Sequence, residues 1–539
     1  MFKQFANLQK LNVKFISTHH AKRSTETISI PRRDDYYKAL ANVDKHSDVK
    51  PAEWDKALPY ESIPGPKPLP LIGNFFRFLP LIGEYYNMPL KTLYELFKAQ
   101  YGNVVKFTGV GRAPLICLFD VQDMEKHLRD AGAFPIRRAI ESFTHYRTVT
   151  RKDKFKDAPG ILSLQGEDWF KVRSVINPIL MQPRTAQQYV GSMDKVANEL
   201  IDNIRFFSSQ SHNNEMPEDF ENELYKWAME SVGVIALDKH FGCLNLNAPM
   251  DSEAQKIISS VNEMFKLMYR LDVLPSIWKY IETPSWKRYV KVLDFLTETI
   301  SKYIDDVLSK PIPDDVPEHQ LNVLQRLAKH DRGIAIAMVM DMMIAGIDTT
   351  GKSMGAALYF LASNPDKQQC LKEEVYKNLP KKNSPVTKEI LNNSPYLKAV
   401  IKETIRMAPI SVGNLRTSTK DSVIGGYKIP KGTELLSLHI VSATSSEHFK
   451  DQDKFIPERW VRMEESDYSY KNVHPFAYLP FGFGPRSCVG KRLANLELEV
   501  GLSKIIRNFE LSWHHDDMVF SGKFLYGIDR PLRIKVKEL

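Results

Sequence analysis

Residues 480–490 read Pro480-Phe481-Gly482-Phe483-Gly484-Pro485-Arg486-Ser487-Cys488-Val489-Gly490, and the rest of the chain is best understood outward from them. The stretch is a glycine-rich loop with one cysteine just before a helix expected to begin near Lys491. A cysteine so placed faces main-chain N–H groups and the positive end of a helix, both of which favour thiolate over thiol. Gly484 and Gly490 allow the backbone to approach a flat ligand closely or to take up positive φ. Arg486 sets a cation beside the cysteine, where it can pair with a carboxylate on that ligand. Taken alone, the loop also fits a buried free cysteine in a turn.

A second stretch carries chemistry. Residues 332–362 read as one long helix, apolar nearly all round (Ile334, Met338, Met342, Met343, Ile344), as a buried central helix should be. Within it lies Ala345-Gly346-Ile347-Asp348-Thr349-Thr350. A buried Asp needs partners and is usually functional or networked. The Thr349 hydroxyl can bond back to the Ala345 carbonyl and loosen the helix there. By itself this segment also fits a glycine kink with an incidental acid.

The two stretches together settle the matter. The loop resembles the haem-binding signature of the cytochrome P-450 superfamily, F-x-x-G-x-R-x-C-x-G, filled by Phe481, Gly484, Arg486, Cys488 and Gly490. The helix matches that family's A-G-x-D/E-T pattern. The resemblance implies haem b (iron protoporphyrin IX) with Cys488 as the iron's axial ligand, the thiolate-ligated class. It implies that Arg486 pairs with a haem propionate and that Phe481 packs beside the sulfur. It further implies that Thr349 and Asp348 serve oxygen activation, Asp348 by relaying protons. Trp169 and Arg173 fit the family's W-x-x-x-R helix, which reaches a propionate, and Arg416 fits a further propionate-binding position. Glu403, Arg406 and Arg459 resemble its buried Glu-Arg-Arg triad, an architectural rather than catalytic group.

The remaining sequence agrees with this frame. Helical patterns near 187–207, 252–270, 285–308 and 332–362 dominate from Asp168 onward. Strands are expected at Asn103 to Phe107 and Pro114 to Phe119, with Gly109 to Arg112 as their turn, and again within 422–438. Leu93 to Phe97 reads as a short helix, and Pro64 to Pro70 as an extended segment. The fold class is therefore mainly α with a small β region, a single large haem domain over 61–539. Residues 34–60 form a connector. Residues 1–33 carry Lys3, Lys10, Lys14, Lys22, Arg23, Arg32 and Arg33 against one acid, Glu26, with Phe2, Phe5, Leu8, Leu11 and Phe15 at helical spacing. That is the pattern of a mitochondrial transit peptide, the alternative being a disordered basic tail. No run of about 20 apolar residues is present, so no transmembrane anchor is expected.

Of 539 residues, 43% are hydrophobic and 26% charged, ordinary for a chain that buries a large core. The net charge of +9 comes with no basic stripe interleaved with aromatics, which argues against nucleic acid. The cysteines (Cys117, Cys243, Cys370, Cys488) form neither a disulfide framework nor a CxxC metal pattern.

The leader, with His474-Pro475-Phe476-Ala477, resembles the mitochondrial branch of the family, as in insects and vertebrates. For that branch the resemblance implies a monooxygenase on the matrix side of the inner membrane. It would insert one atom of O2 into an apolar substrate (steroid, lipid or xenobiotic). Electrons would pass from NADPH through a reductase and an adrenodoxin-like ferredoxin, docked at Lys398, Lys402, Lys491 and Arg492. The cavity is expected to draw on 134–165, Met342, Ala345, Ile410 to Asn414 and the turn near Leu525, any of which also reads as plain core. Leu274 to Tyr280 resembles a membrane-dipping loop, with simple packing an equal reading. A non-oxygenating haem-thiolate enzyme would not need Asp348 and Thr349. A haem sensor or carrier would need neither that pair nor an electron donor.

Overall fold

Ser252, Thr283 and Asp331 each stand just ahead of an apolar-periodic run, and each starts a helix. Their side chains accept the N–H groups of Gln255, Trp286 and Ile334. Those donors have no partner within the helix, so such caps are typically worth about 1 kcal/mol each. The computed structural model describes residues 50–539 except 110–112, 157, 250, 275, 311–315, 318–320, 462–466 and 523. The leader 1–33, most of the connector 34–60, the end of the expected turn Gly109 to Arg112, and Pro275 lie outside the described residues.

The helices that frame the site are α1 (Gly166–Leu180), α2 (Phe220–Leu237), α3 (Glu253–Met268), α4 (Pro284–Ser309), α5 (Arg332–Ser363), α6 (Pro395–Met407) and α7 (Lys491–Asn508). The strands are β1 (Val104–Phe107), β2 (Leu115–Leu118), β3 (Asn414–Thr417) and β4 (Glu434–Ser437), in sheet order β1-β2-β4-β3. β2 and β4 run parallel while the outer pairs are antiparallel. A parallel pair needs a long crossover. Here most of the helical mass lies between the two strands.

α5 runs through the centre. Met343, Ile347, Met354 and Leu361 are fully buried, and burying side chains of this size stabilises by roughly 1.5–3 kcal/mol each. Although α5 is long and apolar enough to cross a membrane, 67% of its most apolar window is buried inside the protein. α2 lies against it at close range. A Cβ on Gly346 would come within 2.5 Å of Val232, and one on Gly351 within 2.5 Å of Tyr225. Those two glycines let the helices touch.

The long helices expected from periodicity are present to within a few residues at each end. Leu93 to Phe97 is the middle of a longer helix, Leu90–Tyr101, and Pro64 to Pro70 contains no helix. α2 was not singled out by periodicity because Tyr225 and every residue from Trp227 to Leu237 are buried, leaving no polar face to mark a period. In the Leu274 to Tyr280 loop, the packing reading holds for Trp278. Trp278 is not interfacial: it stacks on Trp286 with ring centroids 4.7 Å apart, and its indole N–H donates to the Leu271 carbonyl at 2.9 Å. Ile277 and Tyr280 in that loop, and Ile281 just after it, are exposed.

Candidate functional site

The thiol loop is shaped by its glycines. Gly482 and Gly484 have φ of 73° and 72°, a region side chains with a Cβ rarely adopt. Gly490 caps α7 with right-handed dihedrals, so of the two uses expected for it positive φ is not the one taken. The Cys488 N–H donates to the Phe481 carbonyl at 2.8 Å, closing the loop. α7 begins at Lys491, as expected.

Cys488 is exposed at its surface yet surrounded by protein. Burial pushes its thiol up, while N–H groups of Gly490 and Lys491 and the charges of Arg173 and Lys491 pull it down. These donors aim at the sulfur from the helix end, which is what a thiolate needs.

Arginines gather around this sulfur. Arg486 donates to the carbonyls of Pro135 (3.1 Å) and Leu164 (2.5 Å) and to Gln165 Oε1 (2.9 Å), and it stacks over Trp169 at 4.5 Å. Arg173 approaches the same indole and donates to the Ser487 carbonyl at 2.9 Å. Trp169 and Arg173, both on α1, are buried. Arg416 lies on β3, just ahead of the 422–438 segment, and burial, with Arg137 beside it, pushes its guanidinium down to about 9. Phe481 packs at the edge of the core, with Lys491 over its ring at 5.5 Å.

Arg137 belongs to this group, and sequence reasoning missed it. Burial lowers its pKa, and the charges of Cys488 and Asp341 oppose that shift. Its Nε and that of Arg173 are buried without a hydrogen-bond partner. Asp341, the carboxylate in its field, is already paired with Arg147 at 2.6 Å. Desolvated cations that leave donors unused and repel one another are complementary to a dianionic ligand. Haem carries two propionates, so this donor set and thiol fit it.

On α5, the Thr349 hydroxyl donates to the Ala345 carbonyl at 2.7 Å, the back-bond expected from sequence. Ser353 repeats it toward the Thr349 carbonyl at 2.8 Å. Asp348 is buried, its Oδ1 has no hydrogen-bond partner, and burial pushes its carboxyl up to about 7. The Glu-Arg-Arg triad is formed: Glu403 accepts from Arg406 at 2.9 Å, from Arg459 at 3.1 Å and from the Trp460 indole at 2.9 Å.

Lys398, Lys402 and Lys491 share one field. Lys402 is depressed first by burial and then by the other two lysines. Arg492 instead donates to the Met181 carbonyl at 2.6 Å. Among the described residues, a surface cleft of about 920 Å³ is lined by Lys91, Tyr359, Phe455 and Phe520 and includes none of these groups.

A thiol loop before a helix, a buried central helix bearing an acid and an alcohol, and a mainly α architecture define a haem-thiolate monooxygenase. The family model for cytochrome P450 matches residues 63–528, and the chain belongs to that family. Among its relatives are "Probable cytochrome P450 301a1, mitochondrial" of Drosophila melanogaster, 36% identical, covering 90% of this chain and 89% of the relative. "Probable cytochrome P450 12a5, mitochondrial" of the same fly is 39% identical over 90% of this chain and 92% of its own length. "Cytochrome P450 CYP12A2" of Musca domestica is 36% identical, with 90% and 93% covered.

Proposed function

We propose that this chain is a mitochondrial P450 that inserts one atom of O2 into an apolar organic substrate, a steroid, lipid or xenobiotic. Its electrons come from NADPH through a ferredoxin reductase and an adrenodoxin-like ferredoxin. The observation that carries the site assignment is Arg137, which feels the charge of both Cys488 and Asp341. The thiol loop and α5 therefore border one interior. Cys488 would hold the haem iron through its sulfur, and Arg137, Arg173, Arg416 and Arg486 would hold the propionates. When bound, haem supplies reductive activation of dioxygen at the iron. Phe481 shields the sulfur from water. The Thr349 hydroxyl, already turned toward the helix axis by its bond to Ala345, positions a proton donor, and Asp348 holds the proton to be delivered.

The mitochondrial reading is supported by the basic, acid-poor leader 1–33 and by the names of the relatives. Ile277, Tyr280 and Ile281, exposed on the loop before α4, supply a peripheral contact with the inner membrane on its matrix side. Lys398, Lys402 and Lys491 supply a surface for an acidic ferredoxin.

Substrate-dependent consumption of NADPH and O2 with added ferredoxin and reductase tests the reading. Turnover without O2 uptake identifies a non-oxygenating enzyme, and ligand binding with no electron uptake identifies a sensor. Shifts of the haem Soret band across steroids, fatty acids and xenobiotics resolve the substrate class.

A further inference from the structure

Asp348 is not isolated from the surface. One turn along α5, Lys352 projects toward α2, where its Nζ donates to the Tyr225 hydroxyl at 3.0 Å and to Glu221 Oε1 at 3.3 Å. The Tyr225 hydroxyl in turn donates to Glu221. Asp348, Lys352, Tyr225 and Glu221 thus form a polar line through an otherwise apolar contact between two helices. Its inner end is buried and its outer end partly exposed, with 18% of the Lys352 side chain and 25% of that of Glu221 accessible. Gly351 makes the line possible, since any Cβ there would strike the Tyr225 ring. The Lys352 stem is confined on the other side by Gly527, where a Cβ would lie 3.1 Å from its Cδ.

The charges along this line are arranged as a switch. Asp348 and Lys352 stand at i and i+4, the spacing at which an acid and a lysine can pair along a helix. In the structure the lysine is instead held by Glu221 and Tyr225, and Asp348 keeps an unpartnered buried oxygen. The groups facing Asp348 are Lys352 on its own helix, Glu221 and Tyr225 on α2, and Lys266 on α3. Lys352 and Lys266 favour its carboxylate, whereas burial and Glu221 favour the neutral acid.

We propose that Lys352 is a positioning residue that alternates between the Glu221–Tyr225 pair and Asp348, and so controls when Asp348 takes up and gives out its proton. With Lys352 turned outward, burial and Glu221 favour the neutral form of Asp348. When Asp348 has given its proton away, the new carboxylate draws Lys352 inward. The lysine ammonium passes one proton to the carboxylate and becomes an amine; Glu221, a carboxylate at the partly exposed outer end, then takes up one proton from bulk water and hands it to that amine, returning to its carboxylate form. No electrons move in these steps, and each proton released is replaced by one from solvent. The burial of Tyr225 keeps its phenol protonated, so its hydroxyl serves only as a hydrogen-bonding bridge.

This inference rests on the assignment of Asp348 as proton donor, and its test separates the two. The infrared carboxyl band of Asp348 in the resting, haem-loaded protein, assigned by its loss in Asp348→Asn, is titrated with pH. Lys352→Met should raise the midpoint by about one pH unit and Glu221→Gln should lower it, as expected for removal of a nearby opposite and a nearby like charge. Lys352→Arg should keep the wild-type midpoint yet slow product formation in a way that deepens with deuterated solvent, because guanidinium cannot surrender a proton. A midpoint unmoved in both Lys352→Met and Glu221→Gln, with native folding confirmed by the CO spectrum, overturns the switch. So does Lys352→Arg with full turnover. If instead Asp348→Asn couples NADPH to product as well as wild type, the assignment of Asp348 itself fails.

Discussion

Arg147 and Asp341 meet as an ion pair, Nη1 to Oδ1 at 2.6 Å, with only 1% and 3% of their side chains exposed. The pair ties the Tyr146–Thr150 turn to α5, two helical turns before Asp348. The aromatic rings of Phe143 and Phe155 sandwich the guanidinium at 4.3 and 4.8 Å, and Arg147 also donates to the Pro159 carbonyl at 2.9 Å. Gly160 leaves the space, since a Cβ there would come within 2.5 Å of Arg147 Nη1. Removing one member of such a pair strands the other charge away from water. Arg147→Met or Asp341→Asn should therefore cost about 3–5 kcal/mol in denaturant unfolding. Replacing both by apolar residues should recover most of that loss. A double-variant loss equal to the sum of the two single losses would show that the pair is not coupled.

Cys488→His should keep a haem-binding fold but lose the red-shifted Soret band that reduced, CO-bound thiolate proteins show, because only an anionic sulfur trans to CO produces it. The wild-type spectrum checks the assignment directly. An intact, haem-loaded wild type without that band would rule out Cys488 as ligand.

Thr349→Ala should bind haem and substrate as wild type does and still accept electrons. Its product yield per NADPH should fall, with peroxide or excess water appearing instead. Proton delivery by a positioned group commonly contributes about 10²-fold or more, so loss of the hydroxyl should be plain in that ratio. An unchanged ratio would remove Thr349 from oxygen activation.

Glu497, on α7, is buried against α5, where it makes a hydrogen bond with Thr350, and burial pushes its carboxyl from 4.5 up to about 8. The folded protein thus holds a proton here that the unfolded chain releases. Stability from this group is fully present below pH 4.5 and declines as pH rises to about 8, then levels off. Glu497→Gln keeps the bond and abolishes the titration. Between pH 5 and 8 the wild type should lose on the order of 3 kcal/mol more than the variant. Parallel thermal-unfolding curves across that range would contradict this.

What the sequence disclosed follows the range of the interactions. The thiol loop, the Ala345 to Thr350 segment and the Glu403–Arg406 pair each lie within a few residues, so spacing alone exposes them. Thr349 bonding back to Ala345 could be foreseen because helix geometry dictates it. Arg137 near Cys488, Arg147 with Asp341, and Lys352 with Glu221 join segments far apart in the chain, and no local period encodes such meetings. One signal was available: Asp341 stands between Met340 and Met342 in an apolar helix, and a buried acid demands a partner. Trp278 misled because an indole in an apolar loop reads alike whether it meets lipid or Trp286.

The partner surface gives the last prediction. Lys398 and Lys402 stand four apart on α6, and Lys491 opens α7 beside the thiol loop. Lys402 is held over the Trp460 and Tyr470 rings at 5.9 Å each. Burial and the two neighbouring lysines lower its pKa, so the cluster carries self-repulsion that Glu499 offsets in part. An acidic ferredoxin would relieve that repulsion, as complementary charge does in fast, transient docking. Most lysine pairs are merely a solvated face, so the test must separate docking from folding. Charge reversal at Lys398 and Lys402 together should raise the apparent KM for ferredoxin by about tenfold or more at low salt, the scale on which steering changes association rates. The CO spectrum and substrate-induced Soret shift should not change, because neither depends on this surface. Wild-type electron transfer should weaken with added salt as screening shortens the reach of the charges to about 8 Å near physiological strength, and the reversed variant should lose that dependence. If the variant took electrons as well as wild type at low salt, docking would lie elsewhere, and the mitochondrial reading would rest on the leader and the relatives' names.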